Sequence, residues 1–355
     1  MTRTLQVILL PFSFLYGLAM AVRNLLFDLH VLPSRSFAKP VISVGNLSYG
    51  GTGKTPHIEY LIRLLSPEKL MATLSRGYGR KSSGFILASK RSNVKYIGDE
   101  PMQFLKKYEQ LKVAVDEKRS RGIRILFEKF PELDVVLLDD AFQHRYVRPG
   151  LSILLTDYHR LYTDDTALPS GTLREFSAGA KRADIIIVTK TPKIFSPITR
   201  RRIVEEIRPS AHQRLYFSYI KYRDPVPVFE EPGLTFPSKV TNILLFTGIA
   251  NDYPLREHLE RMCSELVVVR FPDHHSYTGR DLEEITRKFN DLPTQKKIVI
   301  TTEKDVMRLK THELASYLKN LPLFCVAMEI EFHGTDKENF DNEIKRYINK
   351  GQRDR

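Results

Sequence analysis

Ser48–Thr55 reads SYGGTGKT and follows the apolar run PVISVGNL, Pro40–Leu47. A buried strand, a glycine-rich turn and a helical pattern beginning near His57 thus follow one another, which is the context a phosphate-binding loop requires. In such a loop, backbone N–H groups converge on anionic oxygens at a helix N-terminus. Gly50, Gly51 and Gly53 let the chain curl closely around the anion, Lys54 neutralises the terminal phosphates, and Thr55 offers its hydroxyl to Mg2+. The expected nucleotide site is therefore Ser48, Tyr49, Gly50, Gly51, Thr52, Gly53, Lys54 and Thr55. Ser48 stands where the full pattern G-x-x-x-x-G-K-[ST] has its first Gly, a turn position that Ser also tolerates.

From residue 41 to about 190, short β-branched runs alternate with helical patterns. VISVGNL, LMATLSRGY, LKVAVD, DVVLLDD, LSILLTD and ADIIIVTK are the strand candidates. Their consecutive apolar positions predict a parallel sheet covered on both faces, with crossover helices between the strands. A second unit repeats the rhythm in TNILLFTGIA, ELVVVRFPD and KKIVITTEKD, with helices expected near 254–262 and 280–290. Between them lie RLYFSYIKYR (214–223) and LPLFCVAMEIEFH (321–333), which are expected to pair as a connector. The predicted organisation is α/β throughout. An N-terminal segment (1–35) precedes a phosphate-loop domain (36–213), a two-stranded linker (214–235 and 321–334) leads to and from a smaller α/β domain (236–320), and a C-terminal helix and tail (335–355) follow.

Leu5–Val22 carries no charge, while Arg3 and Arg23 flank it. As a helix these residues cover roughly 27 Å, just short of a hydrocarbon core of about 30 Å. A spanning helix, an interfacial helix and a secretory signal compete for this segment. The short run, broken by Pro11 and Gly17, favours a helix lying in the interface. The formal charge of +13 points to an acidic partner: nucleic acid, an anionic membrane or a phosphorylated substrate. Against nucleic acid stand the apolar N-terminus and the lack of an interleaved basic and aromatic stripe. The two cysteines, Cys263 and Cys325, have no partners at metal-site spacing, which predicts a reducing compartment and no zinc site.

A phosphate loop needs a further carboxylate for its metal at the end of a neighbouring strand. DVVLLDD supplies Asp139 and Asp140 after four apolar residues, and AFQHRY places Gln143 and His144 beside them. TKTP (Thr189–Pro192) lacks the Asp that would read a guanine, so ATP is the expected nucleotide. For the acceptor side the candidates are Asp99 and Glu100 in YIGDEP, Asp273, His274 and His275 in FPDHHSYT, and TTEKD (Thr301–Asp305). A His–carboxylate pair brought together from two segments would poise a general base. Arg76 and Arg80 in SRGYGR, Arg119, and Arg174 in GTLRE are the candidate phosphate-binding arginines.

Taken in order, VGNLSYGGTGKTP, LSRGYGR, GDEP, VVLLDDAFQHR, GTLRE, ADIIIVTK, FTGIAN, FPDHH and TTEKD resemble the tetraacyldisaccharide 4'-kinase family of lipid A biosynthesis. Where many members read DDGFQH, this chain has Ala141, at a turn that the Gly suggests needs positive φ. The resemblance implies ATP- and Mg2+-dependent phosphorylation of the 4'-hydroxyl of a tetraacyl disaccharide 1-phosphate, giving lipid IV-A, at the cytoplasmic face of the inner membrane. It implies a lipid substrate and a membrane surface as partners, with no nucleic acid and no obligatory protein partner. It implies Asp99 as catalytic base with His274 as its partner and Lys54 on the phosphates. Asp139, with Thr55, Asp140 and Glu100, would be the metal set, and Arg119, Gln143, His144, Arg174 and Glu175 would surround phosphates or substrate. The rival reading is a membrane-associated phosphate-loop ATPase switch without a lipid acceptor.

Overall fold

Val41–Asn46 forms β1, all six residues buried, and everything in the larger sheet is arranged around it. The computed structural model describes residues 3–229, 235–249, 251–273, 275–309 and 316–353. These divide into two compact units, residues up to 220 together with 330 onward, and residues 221–329. The divisions fall within the two connector segments read from the sequence.

In the first unit, α1 (Arg3–Asp28) precedes β1. After it come α2 (Lys54–Leu65), β2 (Met71–Ser75), β3 (Ile86–Leu87), α3 (Val94–Ile97), α4 (Asp99–Lys107), β4 (Lys112–Val115) and α5 (Arg119–Lys129). Then come β5 (Val135–Asp139), β6 (Leu151–Asp157), β7 (Ile185–Thr189), α6 (Pro197–Ile207) and β8 (Arg214–Tyr222). The strands, with β14 (Met328–Phe332), form one nine-stranded sheet in the order β14-β8-β7-β6-β1-β5-β2-β4-β3. From β8 across to β4 the pairings are parallel, and the short β3 is antiparallel to its neighbour β4.

The apolar runs are continuous because both faces of the sheet are covered. Ile42, Val44, Val135, Leu137, Ile153 and Leu155 point to one face, against Ile58, Leu61 and Ile62 of α2. The intervening residues point the other way, Val41, Val136 and Leu138 against Ile123 and Leu126 of α5, and Leu154, Ile186 and Val188 against Ile203 of α6. This alternation is the two-residue period of a strand expressed with apolar side chains on both sides.

The last helix, α10 (Asp336–Arg353), is a structural member of this core. Phe340, Ile344 and Ile348 pack beside α2, and the Tyr347 hydroxyl meets the backbone of Val41. The helix runs through Arg353.

The segment 321–333, read from the sequence as one connector strand, is two strands in two sheets. β13 (Leu323–Val326) belongs to the second unit, and β14 follows after Ala327 in the nine-stranded sheet. Likewise β8 is followed by β9 (Val226–Pro227), which pairs antiparallel with β13. The second unit also contains β10 (Asn242–Thr247), α7 (Tyr253–Glu260), β11 (Glu265–Arg270), α8 (Gly279–Asn290), β12 (Lys297–Thr302) and α9 (Glu303–Leu309). Its sheet runs β11-β10-β12-β13-β9, and β10 lies parallel between β11 and β12.

α1 is one continuous helix of 26 residues that passes through Pro11. It is longer than the uncharged stretch because Arg23 and Asp28 find partners on the protein. It is long and apolar enough to cross a membrane, with a mean hydropathy of 2.0, and 11% of that window is buried. Val7, Ile8, Phe12, Phe14 and Leu15 are each about 60% exposed, whereas Ser13 and Phe27 are buried.

Replacing the fully buried Ile344 by Ala should cost about 2–5 kcal/mol of unfolding free energy, because the cavity lies under the central strands. Denaturant titration checks this, and a loss below about 0.5 kcal/mol would be that of a surface residue.

Candidate active site

The loop leaving β1 is held open by its own backbone and by the neighbouring strands. Gly53, at φ 86°, is the N-cap of α2, so Lys54 is the first helical residue and its N–H has no partner within the helix. Segment 171–175 lies alongside the loop: Tyr49 N–H donates to Thr172 O (2.6 Å), Arg174 N–H donates to Leu47 O (2.8 Å), and Ser48 bridges to Leu173. GTLRE is therefore built onto the phosphate loop, which carries Arg174 to the end of β5.

At that end, Val44 of β1 is in register with Asp139. Asp139 is buried, and its Oδ1 has no hydrogen-bond partner. Burial, reinforced by the charges of Asp140 and Glu100, pushes its carboxyl up to about 7 against the pull of Lys54 and Arg119. Asp140 has the opposite balance. Burial would raise it, but Lys54 and Arg174 outweigh that effect and hold it below the usual carboxylate range. Arg174 Nη1 donates to both Asp140 oxygens (2.9 and 3.1 Å), and Lys54 Nζ lies 3.6 Å from Oδ1 and donates to Asn46 Oδ1 at 3.2 Å. The positive φ of this turn falls on Asp140 (48°), a residue type that tolerates it, so Ala141 sits without that strain, buried in the core.

Arg119, first residue of α5, is buried. Its Nη1 donates to Asp116 O (3.1 Å), while its Nε has no partner. Burial lowers its guanidinium to about 10, opposed by the charges of Asp139 and Asp140. Thr52 Oγ1 in the loop is likewise buried without a partner. Around one strand end there are thus two unpaired donors suited to an anion and one unpaired carboxylate oxygen suited to a cation.

That donor chemistry fits a divalent metal. Asp139 would hold it together with the Thr55 hydroxyl, with Glu100 close enough for its charge to be felt at Asp139. Among the described residues no cluster of three or more His, Cys, Asp or Glu forms a complete metal cage. Mg2+ needs none, since it typically keeps waters and takes one or two carboxylates plus substrate phosphates. Asp140 as a ligand would compete with Lys54 and Arg174.

The GDEP turn approaches the SRGYGR loop. Gly98 has φ 92°, and a side chain there would meet Tyr78 O at 3.1 Å, so only Gly fits both the conformation and the contact. Asp99 and Glu100 consequently start α4 in its first turn. Arg80 is occupied by Glu117 (2.5 Å) and Gly84 O, which braces this loop from within.

Gln143, His144 and Glu175 serve the frame around the site. Gln143 Nε2 donates to Asn46 O (2.8 Å) and to Glu175 Oε1 (3.2 Å). Glu175 is buried and accepts from both terminal nitrogens of Arg182 and from Asn24 of α1 (2.6 Å). Its carboxylate is occupied within the protein and would repel a phosphate. Burial and the nearby Arg119, Arg23 and Arg76 lower His144 to about 4, so it is neutral and beside Tyr146.

The helix α1 joins this frame directly. Tyr16 hydroxyl donates to Arg174 O (3.0 Å), Arg23 to Gln143 O (3.2 Å), and Ser170 N–H to Ser13 Oγ (2.8 Å). Gly17 lies against the Phe176 ring so closely that a Cβ would come within 2.3 Å. Asn24, Asn46 and Arg182 are functional-frame residues that no spacing in the sequence announces.

In the second unit, His274 lies outside the described residues. His275 is stacked on Phe271 and pairs with Asp281 through Nε2 (3.0 Å). Asp305 of TTEKD is fully buried and accepts from Thr247, Gly248, Tyr277 and Thr302, tying three strand-end segments together.

A parallel α/β sheet with a glycine-rich loop, a loop lysine and an acidic pair on the adjacent strand defines a phosphate-loop phosphotransferase. The family described as tetraacyldisaccharide-1-P 4'-kinase matches residues 5–349. A tetraacyldisaccharide 4'-kinase of Bacteroides thetaiotaomicron is 45% identical, covering 97% of this chain and 94% of that protein. One of Parabacteroides distasonis is 47% identical, covering 96% of each. The crystal structure of the "apo" form of LpxK from Aquifex aeolicus in complex with ATP superposes with a TM-score of 0.73 at 28% identity, over 97% of this chain and 99% of that one. The chain belongs to the tetraacyldisaccharide 4'-kinase family and is a kinase of lipid A biosynthesis.

Asp139→Asn should stabilise the protein, measured without nucleotide or metal, in a pH-dependent way. A raised folded-state value means that the native state holds a proton the unfolded chain releases, so the wild type loses stability as pH rises from about 4 to about 7. The melting-temperature gain of the variant should be small near pH 4 and level off above about pH 7. A pH-independent difference would mean that Asp139 is not strained by its surroundings.

Proposed function

We propose that the loop Ser48–Thr55 binds ATP with Mg2+ and that the γ-phosphoryl group passes to the 4'-hydroxyl of a tetraacyl disaccharide 1-phosphate at the cytoplasmic face of the inner membrane. The observation that carries the catalytic reading is the buried, unpartnered oxygen of Asp139, the neighbour of the Asp140 that the loop lysine approaches. A carboxylate in that condition calls for a cation, and the N–H groups at the start of α2 call for an anion.

On this reading the loop N–H groups and Lys54 hold the β- and γ-phosphates. Asp139 and the Thr55 hydroxyl would hold a Mg2+ ion, which would supply positive charge against the phosphates. Asp140 orients Lys54 and Arg174, and Arg119 turns its free Nε toward phosphate or substrate. Asp99, at the start of α4, takes the proton of the acceptor hydroxyl, and His274 assists it. His275 is engaged by Asp281 and Phe271. Catalysis then rests on positioning and electrostatics, as phosphoryl transfer generally does.

The exposed apolar face of α1 enters the membrane that holds the four acyl chains, and the positive charge of the chain draws it to anionic headgroups. Because α1 bonds to Arg174, Gln143 and Glu175, membrane attachment and site geometry are mechanically continuous.

Asp99→Ala should lower kcat by about 10²–10⁴ while the Kd for ATP changes less than about threefold, since the proposed role is in proton transfer. Steady-state rates and nucleotide titration check this, and a near-normal kcat would remove Asp99 from the mechanism.

A further inference from the structure

Two consecutive carbonyls of the phosphate loop are tied back into the protein by side chains that the catalytic scheme does not use. Thr189 at the end of β7 shares its hydroxyl proton between Thr52 O at 3.0 Å and Thr156 O of β6 at 3.2 Å. His57, on the first turn of α2, places Nδ1 at 2.7 Å from Gly53 O, which also accepts the His57 backbone N–H at 3.2 Å.

The ring is buried, and its hydrogen bonds fix its tautomer. A carbonyl only accepts, so Nδ1 carries the proton. Nε2 faces Ser218 Oγ of β8 at 3.1 Å. In the neutral ring Nε2 accepts the Ser218 hydroxyl proton, which leaves no choice of orientation for the imidazole. Ser218 is itself held, because its carbonyl accepts from Thr191 N–H (3.1 Å) and Thr191 Oγ1 (2.9 Å).

The consequence lies in the geometry of the peptide unit. In a planar trans peptide the C=O and the following N–H point in opposite directions. Anchoring Gly53 O on His57 therefore turns the Lys54 N–H toward the phosphate side, and anchoring Thr52 O on Thr189 does the same for Gly53 N–H. These are two of the N–H groups that a glycine-rich loop must aim at phosphate, and the side-chain bonds add to the His57 backbone N–H, which already meets the Gly53 carbonyl, in holding that orientation.

We propose that His57 is a positioning residue of the phosphate loop: through Nδ1–H on the Gly53 carbonyl, with Ser218 fixing the ring, it aims the Lys54 N–H at the nucleotide phosphate. The inference rests on the loop binding ATP, and its test is built so that nucleotide binding is read without the acceptor.

The test compares His57→Asn with His57→Gln, both neutral amides that differ in reach. The Asn amide nitrogen falls near the position of Nδ1 and can donate to Gly53 O, whereas the Gln amide falls near Nε2 and meets Ser218 instead. With both variants verified as folded by thermal denaturation, the Kd for Mg·ATP should stay within about twofold for Asn and weaken about tenfold for Gln, with the KM for the acceptor lipid unchanged in both. Equal Kd values for the two variants, or a matching loss in the KM for lipid, would overturn the proposal. Absence of any ATP binding by the unaltered protein would refute the nucleotide reading itself, a distinct outcome.

Discussion

Two adjacent carboxylates, Asp139 and Asp140, are held at the buried end of one strand, and most of the surrounding architecture follows from their repulsion. A pair so close cannot remain charged in a poorly hydrated place without compensating cations. Asp140 is satisfied within the chain by Arg174 and Lys54, and Asp139 is left with an oxygen that has no protein partner. The difference separates an acid bound within the chain from the one proposed to hold a metal. It also explains why GTLRE must be built against the phosphate loop, since Arg174 reaches Asp140 only because its backbone is bonded to Leu47.

The frame that holds Arg174 extends outward to α1. Gln143 and Glu175 link the end of β1 to Arg182 on one side and to Asn24 on the other. A helix with most of its apolar surface exposed is thereby bonded into the polar lattice of the site. For an enzyme whose acceptor carries four acyl chains, this is an economical solution: the element proposed to meet the lipid phase sets the position of a residue one bond from the loop lysine's partner.

Much of this was legible in the sequence, for definite physical reasons. Strands covered on both faces leave uninterrupted apolar runs, so β1, β5, β6 and β7 and their counterparts β10 and β12 stand out. SYGGTGKT and DVVLLDD announce themselves because phosphate and metal chemistry demand fixed residue types at strand ends. What the sequence did not disclose depends on tertiary partners. LPLFCVAMEIEFH carries one continuous β-former signal, yet Ala327 separates two strands in different sheets. Glu175 reads like a site acid, and only the positions of Arg182 and Asn24 reveal that it is occupied within the frame. Ala141 looked like a departure from a glycine turn, whereas the left-handed residue is Asp140. His57 reads as an ordinary helical position until Ser218, distant in sequence, is placed behind it.

The central claim is that the phosphate loop and its acidic pair serve transfer to a lipid hydroxyl. The most direct measurement is the fate of label from [γ-32P]ATP when the protein is incubated with Mg2+ and a tetraacyl disaccharide 1-phosphate in mixed micelles. The account predicts label on the 4'-oxygen of the disaccharide in step with ADP formation. ADP accompanied only by free inorganic phosphate, with no labelled lipid, would contradict it.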